Sequence, residues 1–318
     1  MGIAKYIKET GRGKDGARAL SREQAADLMG QVLDGQVTDL EIGGFCLAMR
    51  IKGETPEEMA GFLDAVHARL TKIQADGPVV VIPSYNGARR LPVLTPLLAA
   101  LLAREGAVHG FGVLVHGCAT EDARITSQSV LEVLNFKKNT PLAKWNIARA
   151  ATQSIANGSL IFAATDTLSS ALKRLLDVRR AVGLRNPAHS LVKLMNPTTS
   201  AEALLVTSYT HPEYLHSMTA TLQLTGAHAM LLRGTEGESV ADARRAPKMD
   251  GFVHGVRSTL NEGQAGSIAA LPDLPKEIDA ATTASYINEV LRDEKSVPAP
   301  IAEQVVHILQ LLKAIKNG

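Results

Sequence analysis

The stretch VVVIPSYNGARRLPVLTPLLAALLARE, residues 79–105, decides the fold. Its opening run, Val79 to Ile82, is β-branched throughout and has the composition of a buried strand. Pro83 ends the run. Ser84-Tyr85-Asn86-Gly87 forms a polar turn, and the segment from Pro92 to Glu105 has the composition of a helix. Strand, glycine-containing turn and helix in that order mark the place where many α/β proteins hold a phosphate. A cradle for a small phosphate is rich in glycines, because backbone N–H groups must close in. Here there is a single glycine, followed by Arg89 and Arg90. Two ligands fit that pattern: the phosphates of a small substrate, or the backbone of something larger.

The same alternation continues downstream. Short apolar runs at 79–82, 111–115, 159–163, 203–207 and 229–233 are separated by helix-like segments. Those helices are predicted at about 92–105, 127–135, 141–157, 166–182, 212–225, 281–293 and 300–316. The pattern predicts a mostly parallel sheet covered by helices. Residues 234–279, rich in Gly, Pro and charge, read as irregular structure with short strands. Upstream the texture is helical. Ser21 with Gln24 and Thr38 with Glu41 are capping-box pairs, and Thr55-Pro56-Glu57-Glu58 supplies an N-cap, a first-turn proline and first-turn acids. The expected organisation is a small all-α domain at 1–72, completed by helices from about 166–190, and a large α/β domain at 73–318.

Composition narrows the class. With 45% apolar residues the chain is an ordinary globular protein. No uncharged apolar run reaches the ~20 residues of a membrane helix, and MGIAKYIKETGRGK has no apolar core of a signal peptide. Cys46 and Cys118 have no metal spacing, and Cys46 sits in an apolar helical run as a core thiol. A reduced, cytoplasmic protein is expected. Net charge is only +2, but it is unevenly spread. Residues 1–22 hold six basic side chains against two acidic, and residues 173–193 hold six against one. Two such segments in a near-neutral chain can build one positive face.

Several motifs then fall into register with a known family. RIKGETPEEMAGF, the strand–loop–helix above, VHGCATEDARITSQSVLEVL and VRRAVGLRNPAHSLVKLMNP occur in the order and spacing of anthranilate phosphoribosyltransferase, which the chain resembles from about residue 20 to 290. The resemblance implies the nucleoside phosphorylase/phosphoribosyltransferase-like fold, α/β plus a small all-α domain, and a homodimer formed through the helical domains.

The family's chemistry is altered at each substrate motif. Its glycine loop G-T-G-G-D reads Ser84-Tyr85-Asn86-Gly87-Ala88 here, which removes the close backbone approach to pyrophosphate. K-H-G-N-R reads Val115-His116-Gly117-Cys118-Ala119, and H-H-P-A-M-K reads Leu168-Ser169-Ser170-Ala171-Leu172-Lys173. D-G-L-D-E, whose last two carboxylates bind magnesium in the family, reads Glu236-Gly237-Glu238-Ser239-Val240. The metal pair thus falls on Ser239 and Val240, with Glu236 and Glu238 nearby as carboxylates that could in principle bind a cation. Arg179, Arg185, Asn196 and Pro197 match, and the position of Arg179 serves the aromatic acceptor in the enzymes. No catalytic residue, metal set or cofactor is assigned on this pattern.

IKETGRGKDGARAL, IPSYNGARR, GLRNPAHSLVKL, Thr210-His211-Pro212-Glu213-Tyr214 and RGTEGES resemble a non-biosynthetic, YbiB-type branch of the family. That resemblance implies a dimer with a positive groove for DNA or RNA. The residues expected to contact phosphate are Lys193 and Arg185 first, then Arg179, Arg180, Lys173, Arg89 and Arg90. Arg12 and Lys14 join them in a glycine-rich basic arm. Aromatic residues make up only 4%, and the one tryptophan, Trp145, lies on a predicted helix, which argues against a base-stacking platform. Backbone contact with steep salt dependence is the expectation. His116, His189 and His211 read as structural histidines. Two other functions stay open: a phosphoribosyltransferase with an altered acceptor, and a scaffold for an unknown protein partner.

Overall fold

The computed structural model describes residues 2–13, 15–121, 123–135, 154–266, 268 and 272–318. The helical start comprises α1 (Ala4–Thr10), α2 (Arg22–Leu33), α3 (Asp39–Lys52) and α4 (Pro56–His67). Ser21, Thr38 and Thr55 each cap a helix; Gln24 and Glu41 complete the two capping boxes the sequence predicts, and Glu58 closes a third on the Thr55 cap. Then follow β1 (Val79–Pro83), α5 (Thr95–His109), β2 (Gly112–Gly117), α6 (Ser127–Asn135), β3 (Leu160–Ala164), α7 (Thr165–Leu168), α8 (Ser170–Val182) and α9 (Ala188–Leu194). The chain ends with β4 (Ala203–Tyr209), α10 (Pro212–Leu224), β5 (Ala229–Arg233), β6 (Met249–Val253), β7 (Val256–Asn261), α11 (Ala280–Leu291) and α12 (Ala299–Asn317).

The strands form one sheet in the order β3-β2-β1-β4-β5-β6-β7. The first five are parallel, and β6 and β7 add an antiparallel hairpin at one edge. Both faces are covered, so the central strands are apolar without alternation. Val79 and Val81 join a core with the helical start, including Phe45 and Phe62. Val80 and Ile82 join the other core with Leu97, Leu98, Ile287 and Ile308. Each such valine or isoleucine withdrawn from water contributes about 1.5–3 kcal/mol. The helical start is therefore seated on one sheet face, with α8 against α2 and α9 against α4.

Three helix predictions shift. The helix expected at 92–105 begins at Thr95 with Pro96 in its first turn and runs on to His109, where Gly110 takes the left-handed conformation. The helix expected at 166–182 breaks at Ser169, which is extended and caps α8 through its hydroxyl. Of the helix expected at 141–157, residues 154–157 are not helical: the Ile155 N–H donates to the Gln74 carbonyl, 2.8 Å. The rest of that segment, with Trp145, lies outside the described residues. Among the described residues no helix is long and apolar enough to cross a membrane.

Strand order places the working edge of the molecule. From β1 the chain runs to β2 and β3 on one side, whereas β4 and β5 lie on the other. The loops after β1 and β4 therefore diverge and leave a crevice at the carboxyl ends of these strands.

Candidate anion site at the carboxyl edge of the sheet

The loop after β1 is held hard against β2. The Ser84 N–H donates to the His116 carbonyl, 2.7 Å, and a side chain at Gly117 would bring its Cβ to 1.9 Å from the Ser84 oxygen. Gly87 is left-handed (φ 64°), and a Cβ there would meet the Ile125 carbonyl at 2.4 Å. These two contacts explain the glycines of this loop. His116 is wholly buried, and burial pushes its imidazole down to about 3, so the ring stays neutral. Neither ring nitrogen has a partner among the described residues, as fits a structural rather than a proton-transferring histidine.

The backbone donors of this loop are taken by the protein's own carboxylates. Glu238 is 2% exposed and accepts from the Gly87 N–H (2.9 Å), the Ser84 hydroxyl (2.6 Å) and the Thr95 hydroxyl (2.7 Å). Thr95 opens α5, so the carboxylate also faces the positive end of that helix. Glu236 accepts from the consecutive N–H groups of Arg89 (3.2 Å), Arg90 (3.0 Å) and Leu91 (3.2 Å). Arg124 lies 3.8 Å from the same carboxylate and donates to the Gly87 carbonyl. The Asn86 side chain donates to the Glu236 carbonyl oxygen. Glu236 adopts a left-handed φ of 52°, unusual for a residue with a side chain. The 234–239 loop is thus folded back into the place where the resemblance put a substrate's pyrophosphate.

Both the Glu236 and the Glu238 carboxylates are engaged by N–H and O–H donors. Ser239 donates to the Pro83 carbonyl (3.2 Å) and Val240 is buried, so the positions of the family's magnesium ligands are structural here. Among the described residues no cluster of three or more His, Cys, Asp or Glu is placed to hold a metal ion.

Next to the sealed loop, at the crevice between β1 and β4, is a cavity of about 350 Å³. The end of α3 and its following loop, Met49–Glu54, form one wall. Tyr85, α9 and the start of α10 form the others. Lys193 is half-buried; its ammonium donates to the Ser208 carbonyl at 2.8 Å and lies 5.9 Å from the centre of the Tyr85 ring. Burial pushes its pKa down to about 8 against the opposing pull of Glu238. Arg185 is half-buried on the same cavity and has no carboxylate in ion-pair contact among the described residues. His189, 5% exposed, sits between them. Burial and then the Arg185 charge hold it down at about 4. Its Nδ1 lies 3.3 Å from the Asn186 nitrogen and 3.2 Å from the Asn186 carbonyl oxygen, so the contacts accommodate either tautomer, and Nε2 is buried and without a partner among the described residues. Glu54 and Glu213 also line the cavity, and burial raises the Glu54 carboxyl above its ordinary value.

The remaining sequence candidates lie elsewhere or are engaged. Arg179 pairs with Glu121 (2.6 Å), which also binds Arg124 (2.9 Å). First the Arg124 hydrogen bond and then that of Arg179 hold the Glu121 carboxyl at about 2. Lys173 and Arg180 both pair with Asp177. Arg12 pairs with Glu9 (2.8 Å). Arg89 and Arg90 are exposed, with only their backbones engaged by Glu236. Lys14 lies outside the described residues. So the structure brings Lys193 and Arg185 to one cavity and does not add the others to it. Sequence reasoning missed Arg50, Tyr85, Asn186 and Ser208 on the same walls. Arg50 lies in the quoted motif RIKGETPEEMAGF, but only the fold brings the end of α3 to the crevice.

The α-helical start, the sheet order and a cleft at the switch point together define a phosphoribosyltransferase-like fold, and the chain belongs to the anthranilate phosphoribosyltransferase-like family. Residues 4–69 match the family model of the glycosyl transferase family helical bundle domain. The uncharacterized protein YbiB of Escherichia coli K12 is 36% identical over 308 residues, 96% of this chain and 92% of that protein. Anthranilate phosphoribosyltransferase of a Nocardioides species is 28% identical, covering 86% of this chain and 78% of the enzyme. Among solved structures, the Thermus thermophilus enzyme superposes with a TM-score of 0.65 at 20% identity, over 94% of this chain and 85% of its own. The Saccharomyces cerevisiae enzyme in complex with PRPP and Mg gives 0.65 at 12% identity, over 98% and 89%.

Proposed function

We propose that this chain binds nucleic acid, DNA or RNA, through phosphate contacts at the cleft between β1 and β4, and does not transfer a phosphoribosyl group. The observation that carries the reading is a division of labour at one sheet edge. The backbone donors that suit pyrophosphate are occupied by Glu236 and Glu238, while Arg185 and Lys193 line an adjoining cavity and neither makes an ion pair with a carboxylate among the described residues. Arg89 and Arg90, exposed on the neighbouring loop, extend the positive surface. A homodimer belongs to the same reading: Leu47 and Ile51 are exposed on α3, where a second copy would cover them. The test is titration of single- and double-stranded DNA and RNA at several salt concentrations. Binding that weakens steeply with salt is expected. Absence of binding at low salt, or binding indifferent to salt, overturns the proposal.

A second reading, a phosphoribosyltransferase with an altered acceptor, is supported by the named enzymes among the relatives and by the shared fold. Those comparisons support it better than they support nucleic-acid binding. Calorimetry with phosphoribosyl pyrophosphate and magnesium decides it. Tight magnesium-dependent binding establishes a functional transferase cradle; no heat of binding removes it.

A further inference from the structure

We infer that the cavity between β1 and β4 is a phosphate-monoester site, built for the terminal phosphate of a nucleotide or of a nucleic-acid end rather than for the internal diesters of a continuous strand. The inference rests on the reading of this cleft as an anion site and goes beyond it in naming the group bound.

Size makes the first argument. At about 350 Å³ and walled on several sides, the cavity falls in the range of small-molecule sites. It admits a phosphate with an attached sugar or base. A duplex or an extended strand passing over the surface reaches Arg89, Arg90 and the mouth of the crevice, whereas a strand end can enter it.

Chemistry makes the second. Arg185 and Lys193 are two cationic side chains lining the cavity, and Arg50 lines it as well. A diester presents one negative charge and two free oxygens. A monoester carries about −1.5 to −2 charges at neutral pH and three acceptor oxygens, which suits a cavity lined by more than one cation better than a singly charged diester does. Tyr85, buried at the base, supplies an aromatic wall for an attached base or ribose. Glu54 and Glu213 also line the cavity, where carboxylates disfavour further phosphates.

The test compares one single-stranded oligonucleotide with a hydroxyl at both ends, a phosphate at its 5′ end, or a phosphate at its 3′ end, by fluorescence anisotropy at fixed salt. Adenosine 5′-monophosphate is titrated separately by calorimetry. A phosphorylated end should bind at least roughly tenfold tighter than the hydroxyl form. That preference should vanish in Arg185→Ala and in Lys193→Met, and Arg185→Lys should restore part of it. Circular dichroism and thermal melting of each variant separate lost binding from lost folding. Equal affinity for all three oligonucleotides, with salt dependence intact, overturns the monoester site and leaves nucleic-acid binding standing. Binding of adenosine monophosphate without any oligonucleotide binding supports the site and overturns the nucleic-acid reading. Failure of every ligand overturns both.

Discussion

The Glu238 carboxylate lies 2.9 Å from the Gly87 nitrogen and accepts its N–H, joining two loops 151 residues apart in the chain. Gly87 is the one glycine left in a turn of phosphate-binding shape, and its donor is satisfied inside the protein. The same carboxylate takes the Thr95 hydroxyl, so it pins the β1 loop to the start of α5.

Glu238→Ala should therefore cost stability rather than expose a useful site. Gly87 N–H and the Thr95 hydroxyl lose their acceptor, whereas Ser84 keeps Ser127 at 2.7 Å. Two orphaned buried donors predict a loss of about 2–5 kcal/mol in urea unfolding. Glu238→Gln, which keeps an acceptor oxygen, should lose less.

Lys193 gives the cleft a pH signature. Its folded pKa of about 8 lies below the ordinary 10.5. Between those values the unfolded chain holds more protons than the folded one, so this group makes stability rise with pH across that window. Anion affinity should fall as pH rises through about 8, because the ammonium is lost. Lys193→Met should flatten both trends, read by affinity and by denaturant midpoint at pH 7, 8, 9 and 10.

Arg179 and Arg185 should separate cleanly. Arg179 is tied to Glu121, so Arg179→Ala should leave nucleic-acid affinity within about twofold and cost roughly 1 kcal/mol of stability. Arg185→Ala should weaken binding about tenfold or more with little change in melting temperature. Anisotropy titration of both variants at one salt concentration checks this.

Gly117→Ala tests the tight seam between β1 and β2. The added methyl would overlap the Ser84 carbonyl, whose position is fixed by the strand ladder. Overpacking of this kind predicts a loss of about 3 kcal/mol or more, visible as a lowered midpoint.

The architecture was legible because its signals are local. Two capping boxes, an N-cap with its first-turn proline and unbroken valine-rich runs each report on a few neighbouring residues, and each resolves into the element it predicts. The cleft was legible only in part. Arg185 and Lys193 stand eight positions apart on either side of the α9 start, close enough for their spacing to mean something. Pairing is a long-range property, and the chain around Arg179, Arg180 and Lys173 does not announce that Glu121 and Asp177 will hold them. The role of Glu236 was also hidden. Nothing in RGTEGES states that its carboxylate will cap three N–H groups some 145 residues earlier.

The two glutamates of the 234–239 loop also set a direction for change in this lineage. Replacing Glu236 alone frees three N–H groups but leaves Glu238 across the same hollow, and replacing Glu238 alone strands donors in the interior. Neither single step yields a working pyrophosphate cradle, and each weakens the fold before any catalytic benefit exists. Opening this hollow to a pyrophosphate would need coordinated changes in both loops, so the seal acts as a ratchet.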